Sequence, residues 1–76
     1  MHKDRFAVIL VHSTSYAIRA EKVLNTAGIS SKLIPVPRQL SSDCGVCVRI
    51  KRADAQTARQ ALEEAGVEVE GIYDVD

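Results

Sequence analysis

The sequence has no tryptophan, and its aromatics come to 4%. A stacking platform for single-stranded nucleic acid needs several aromatic faces, so that class is excluded. Charge of one sign is also missing. Ten Lys and Arg balance ten Asp and Glu, which leaves no global footprint for a phosphate backbone or an anionic membrane. Long hydrophobic runs are absent. The longest, Phe6 to Val11, has six residues, far short of a membrane span. It is also too short for a signal-peptide core, and no cleavage site follows it. A cytoplasmic protein is therefore expected, and its two cysteines are expected to be reduced rather than bridged. What is present is enough apolar residue, 46% of 76, to pack one small core over residues 1–76.

A weak internal repeat organises the chain. Shifted by 38 positions, Val8 falls on Val46 and Leu10 on Val48. Ala17, Ala20 and Leu24 fall on Ala55, Ala58 and Leu62, and Ala27-Gly28-Ile29 on Ala65-Gly66-Val67. Each half reads as strand, helix, strand. Phe6 to Val11 is a β-branched run. Ala17, Ala20, Val23, Leu24 and Ala27 then follow at helical spacing, with Ser13 or Ser15 placed to cap the start. Gly28 stands where a left-handed helix ending is wanted, with Ile29 able to pack back on Leu24, and Gly66 ends the second helix. Lys32 to Val36 is expected as a second strand, confined to a sheet edge because Pro35 cannot donate to a ladder. The third strand begins at Gly45. The fourth is placed at Val67 to Tyr73, with a bulge at Gly71 and a fraying tail from Asp74 to Asp76.

The order βαββαβ in 76 residues predicts an α+β fold. Two helices would cover one face of a four-stranded antiparallel sheet, the ferredoxin-like two-layer sandwich with strand order 4-1-3-2. The repeat assigns Phe6, Val8 and Leu10 to the helix side. It leaves Ala7, Ile9 and Val11, with Cys47, as an apolar patch on the open side, a surface suited to a homodimer or to docking on a larger protein.

This topology brings the loop after the first strand, His12 to Ser15, to the same end as the eight-residue connection Pro37 to Cys44. Cys44 is the nucleophile there. Its thiolate, the reactive form, would be favoured by Arg38 and by the positive end of the first helix. Gly45 opens space beside the sulfur, Ser41 and Ser42 offer hydroxyl donors, and Asp43 opposes ionisation. His12 is the nearby residue that titrates near neutrality and is a candidate base. Cys44 and Cys47 make a two-residue-spaced pair, but alternation along a strand sends residues three apart to opposite faces. A disulfide switch between them therefore stands as an alternative that requires local distortion. Two cysteines and two histidines, one of them His2 near the chain start, make a poor structural zinc set, so no metal site is expected.

The stretch Leu33-Ile34-Pro35-Val36-Pro37-Arg38-Gln39-Leu40-Ser41-Ser42-Asp43-Cys44-Gly45, with His12-Ser13-Thr14 and Ala20-Glu21-Lys22 before it, resembles the selenium/sulfur carrier-like family of small bacterial proteins. The resemblance covers nearly the whole chain. It implies that Cys44 holds sulfur or selenium as a persulfide or selenopersulfide, taken from a donor protein and passed to an acceptor. Pro37, Arg38, Ser41, Ser42 and Gly45 carry over as motif positions, with Ser13 and His12 beside them. Cys47 lies outside the family's core motif. Such a carrier uses neither metal nor organic cofactor and is a carrier or binding protein rather than a turnover enzyme. The reading from another class is a regulatory module that binds a small ligand or a protein, because the fold alone does not choose a function.

Overall fold

A computed structural model of the chain describes residues 5–40 and 44–75. Its elements are β1 (Phe6–Leu10), α1 (Thr14–Thr26), β2 (Ser31–Pro35), β3 (Val46–Lys51), a single 3-10 turn (Arg52–Asp54), α2 (Ala55–Glu64) and β4 (Gly71–Val75). The strands form one antiparallel sheet in the order β2-β3-β1-β4. This is the ferredoxin-like α+β sandwich, with both helices on one face.

The helices end as their sequences predict. Ser13 is the N-cap of α1, its Oγ accepting from the Tyr16 N–H at 3.4 Å. At the far end Ile29 N donates to Leu24 O at 2.8 Å and Gly28 N to Asn25 O at 3.0 Å. The second helix repeats the pattern, with Val67 N to Leu62 O at 2.9 Å and Gly66 N to Glu63 O at 3.1 Å. These are paired Schellman closures, and in both the following apolar residue is buried. Alanine stripes, Ala17 and Ala20 on α1 and Ala58 on α2, are fully buried. Their small side chains let the helices lie close to the sheet.

The sheet faces are the reverse of the expectation from the repeat. Ala7, Ile9 and Val11 pack under the helices with Leu24, Val48, Ile50 and Leu62. Val8 and Leu10 share the open face with Cys47, and register and alternation put Phe6 there too. The reason is a change of spacing. The helices repeat at 38 residues, but the inward-facing strand positions repeat at 39: Ala7 matches Val46, Ile9 matches Val48, Val11 matches Ile50. The last inward strand position stands nine positions before the matching buried helix alanine in the first half, Val11 to Ala20, but eight in the second, Ile50 to Ala58, and a slip of one residue exchanges the faces of a strand. The patch expected for a homodimer, Ala7, Ile9 and Val11, is thus wholly inside.

The fourth strand also differs. It runs from Gly71 to Val75 rather than from Val67 to Tyr73, because Val67 is used to close α2. Gly71 opens the strand opposite Leu10 in an unbroken register, so it makes no bulge. Instead the Tyr73 ring lies across it, 2.8 Å from where a Cβ would stand. Asp74 and Val75 pair with Ala7 and Phe6 rather than fraying; Asp76 lies outside the described residues. Pro35 is at the end of the edge strand β2, as expected.

Candidate functional site

The connection between β2 and β3 is held at its base. Val36 N donates to Gly45 O at 3.1 Å, and Leu40 N closes a turn onto Pro37 O at 3.0 Å. Gly45 has φ +81° with open space where a side chain would project. Its need is conformational: an L residue there costs roughly 1–2 kcal/mol. The turn delivers Cys44 to the helix side, half-buried and packed against the main core. Its Sγ lies 3.9 Å from the Thr14 Oγ1. Thr14 is the first residue of α1, so the sulfur sits at the positive end of a 13-residue helix, where an anion is favoured.

Thr14 is the residue that sequence reasoning missed as a partner. The signal was available, since Thr14 follows the cap in a loop already placed opposite Cys44. The other expected residues are distributed differently. Ser13 spends its hydroxyl on the helix cap. His12 is turned toward the β4 flank, with Nδ1 3.6 Å from the Glu70 Oε2 and the ring edge-on to Tyr16. Cys44 comes in from the β3 flank, and its sulfur meets Thr14. Pro37 and Arg38 line a groove over the open face of the sheet with Phe6, Ile34, Arg49 and Val75, away from the helix side on which Cys44 packs. Ser41, Ser42 and Asp43 lie outside the described residues.

Cys47 has a different environment. It is fully buried on the open-face side, beneath Ile34, Val36 and Leu40. Its thiol points at the Pro35 carbonyl, 3.9 Å away. Burial, and secondarily the charge of Cys44, raise its pKa above the ordinary thiol value of 9.0. Among the described residues no three His, Cys, Asp or Glu side chains converge as metal ligands. None of the described helices is long and apolar enough to cross a membrane.

Comparison with known proteins meets this geometry. Residues 6–74 match the model of the family described as "Putative Se/S carrier protein-like". The chain belongs to this family. A curated relative, the Escherichia coli K-12 protein called "Uncharacterized protein YtiA", is 37% identical over 41 residues, which is 54% of this chain and 48% of the relative. The chain thus spans about half the length of the curated relative it matches. No solved structure matches. In this Se/S carrier-like chain the motif residues divide between two places. Cys44 and Gly45 form the turn at the helix end, while Pro37 and Arg38 belong to the groove.

The buried thiol makes the stability of this family member depend on pH. The folded state holds the Cys47 proton more tightly than the unfolded chain does. The resulting stabilisation is complete below the unfolded thiol pKa and is lost as pH rises through the folded value. Urea midpoints should therefore fall on the alkaline side of about pH 9, and Cys47→Ala should remove that part of the fall. An identical alkaline decline in wild type and variant would contradict the burial argument.

Proposed function

We propose that the protein carries sulfur or selenium on Cys44, taking it from a donor protein and handing it to an acceptor in the cytoplasm. In the loading step the Cys44 thiolate attacks the terminal sulfur of a donor persulfide. A bond forms between the two sulfurs, the donor's own sulfur–sulfur bond breaks, and the donor cysteine leaves as a thiolate. Delivery is the same exchange in reverse, with an acceptor thiolate attacking the outer sulfur. Both steps conserve electrons, so neither needs a metal or an organic cofactor.

One observation carries this reading. Of the two cysteines, Cys44 alone is presented at the surface, against the Thr14 hydroxyl and the start of α1, while Cys47 is sealed. Beside the first N–H groups of α1, Thr14 supplies a hydroxyl donor that can follow the charge as it moves to the outer sulfur. Ser41 and Ser42, motif positions in the same connection by sequence, carry further hydroxyls. The partners of such a carrier are proteins, which fits a small domain with open surfaces rather than a deep enclosed pocket.

The test is an intact-mass measurement of the reduced protein after incubation with a persulfide donor. One added sulfur is expected in the wild type and in Cys47→Ser, and none in Cys44→Ser. An adduct that survives Cys44→Ser, or the absence of any adduct in a folded wild-type sample, would sink the proposal.

A further inference from the structure

The overall charge is zero, but it is not spread evenly. By register, Lys32, Arg49 and Lys51 all stand on the open face of the sheet, and Arg38 reaches the same face from the β2–β3 connection. Among the described residues, no strand position on that face carries Asp or Glu. Among the described residues the one carboxylate on a strand, Asp74, is on the helix side of β4, where its Oδ1 lies 3.3 Å from the Arg52 Nε. The other described acids belong to the helices, the 3-10 turn and the segment between α2 and β4.

The cations are also organised. A groove of about 610 Å³ has Phe6, Ile34 and Val75 as its apolar lining, with Arg38 and Arg49 beside them. The Arg49 guanidinium sits 4.3 Å over the centre of the Phe6 ring, which fixes one of the two charges in place. A smaller cleft of about 250 Å³ shares Phe6 and Arg49 and adds Lys32 and Lys51. The two clefts meet at Phe6 and Arg49, the smaller one being lined also by Ser30, Ser31 and Ile50 toward the sheet edge.

Three occupants can be compared. A second copy docked about a two-fold axis would bring this face against itself and set cation against cation, which is repulsive. Nucleic acid would meet the charges but find two exposed-face aromatics, Phe6 and Tyr73, the first already covered by Arg49. An extended peptide that alternates acidic and apolar side chains meets both the arginines and the apolar residues that line the larger groove. Strands of five or six residues span a segment of comparable length.

We propose that the open face of the sheet is a docking surface for an extended acidic segment of a partner protein, whose carboxylates pair with Arg38 and Arg49. The paired groups are guanidinium and carboxylate, which meet in a two-point geometry that an ammonium cannot offer. The surface is separate from Cys44, so the inference holds independently of the sulfur chemistry.

The experiment uses the reduced full-length protein and fluorescence anisotropy with a labelled peptide alternating Glu and Leu. Controls are the Gln-for-Glu peptide and an oligothymidine of similar length. The Glu peptide should bind, and added salt should weaken it. Arg38→Glu should weaken it by about tenfold or more. Arg38 is an exposed loop residue, so its substitution leaves the core untouched. Arg49→Glu should do the same, with circular dichroism confirming the fold, and Arg59→Glu on α2 should leave binding unchanged. No binding of the Glu peptide, equal binding of the Gln peptide or the oligothymidine, or insensitivity to Arg38→Glu would each overturn the proposal. None of these results bears on sulfur loading at Cys44.

Discussion

Ile9→Lys is expected to abolish the fold, whereas Val8→Lys, one residue away, leaves it intact. Both side chains are fully buried, so burial alone does not separate them. What separates them is the layer above. Ile9 lies under both helices in a row with Leu33, Val48 and Ile72. A lysine there loses the packing of a core isoleucine, about 2–5 kcal/mol, and leaves an unpaired charge in the interior, a further several kcal/mol. A 76-residue chain has only about 4–11 kcal/mol to lose. Val8 lies on the open face, covered by neighbouring side chains rather than by a helix. A lysine there can run its methylenes along that surface and put its ammonium into water, so the loss is limited to about 1–3 kcal/mol. Far-ultraviolet circular dichroism and a urea titration decide the matter. A folded Ile9→Lys beside an unfolded Val8→Lys would restore the opposite assignment of faces.

That assignment shows where the sequence was legible and where it was not. The helices were plain because their apolar positions recur at one spacing and their glycines mark both ends. The edge position of β2 followed from Pro35, and the strand order followed from the doubled strand–helix–strand pattern. The faces of β1 were not legible, because Phe6 to Val11 is apolar at every position and carries no alternation. The repeat was then the guide, and it is off by one residue in the strands. β4 was misplaced for a related reason. Val67 and Val69 continue the β-branched pattern, yet Val67 is committed to closing α2 and Val69 packs on the core before the ladder begins.

The site divides in the same way. Cys44 and Gly45 were legible from composition, since a thiol followed by a glycine in a long connection is locally conspicuous. The Thr14 contact depends on the path of the loop in space, which no local pattern encodes. Arg38 was expected beside the sulfur, but the Pro37 to Leu40 turn carries it toward the open face, where the exposed charge lies near Arg49 and the Phe6 ring. His12 was read by its place in the chain, and the approach of Glu70, from just before β4, to its ring had no local signal.

The two thiols should differ in alkylation rate by on the order of a thousandfold. Iodoacetamide reacts with a thiolate it can reach. Cys44 meets the access condition in the folded protein, being half-buried at the surface end of the loop. Cys47 fails on both counts: it has no exposed surface, and burial holds its proton on. Its reaction must wait for an opening of the β2–β3 connection or of the whole sheet, and a stability of several kcal/mol makes such openings rare. Single-cysteine proteins, Cys44→Ser and Cys47→Ser, isolate the two rates. Sub-denaturing urea adds a second distinction. It should accelerate Cys47 steeply, because the reactive state is an opened one, and leave Cys44 nearly unchanged. Comparable rates in native buffer would mean that the open face does not seal its cysteine. The contrast on which a single carrier thiol depends would then be lost.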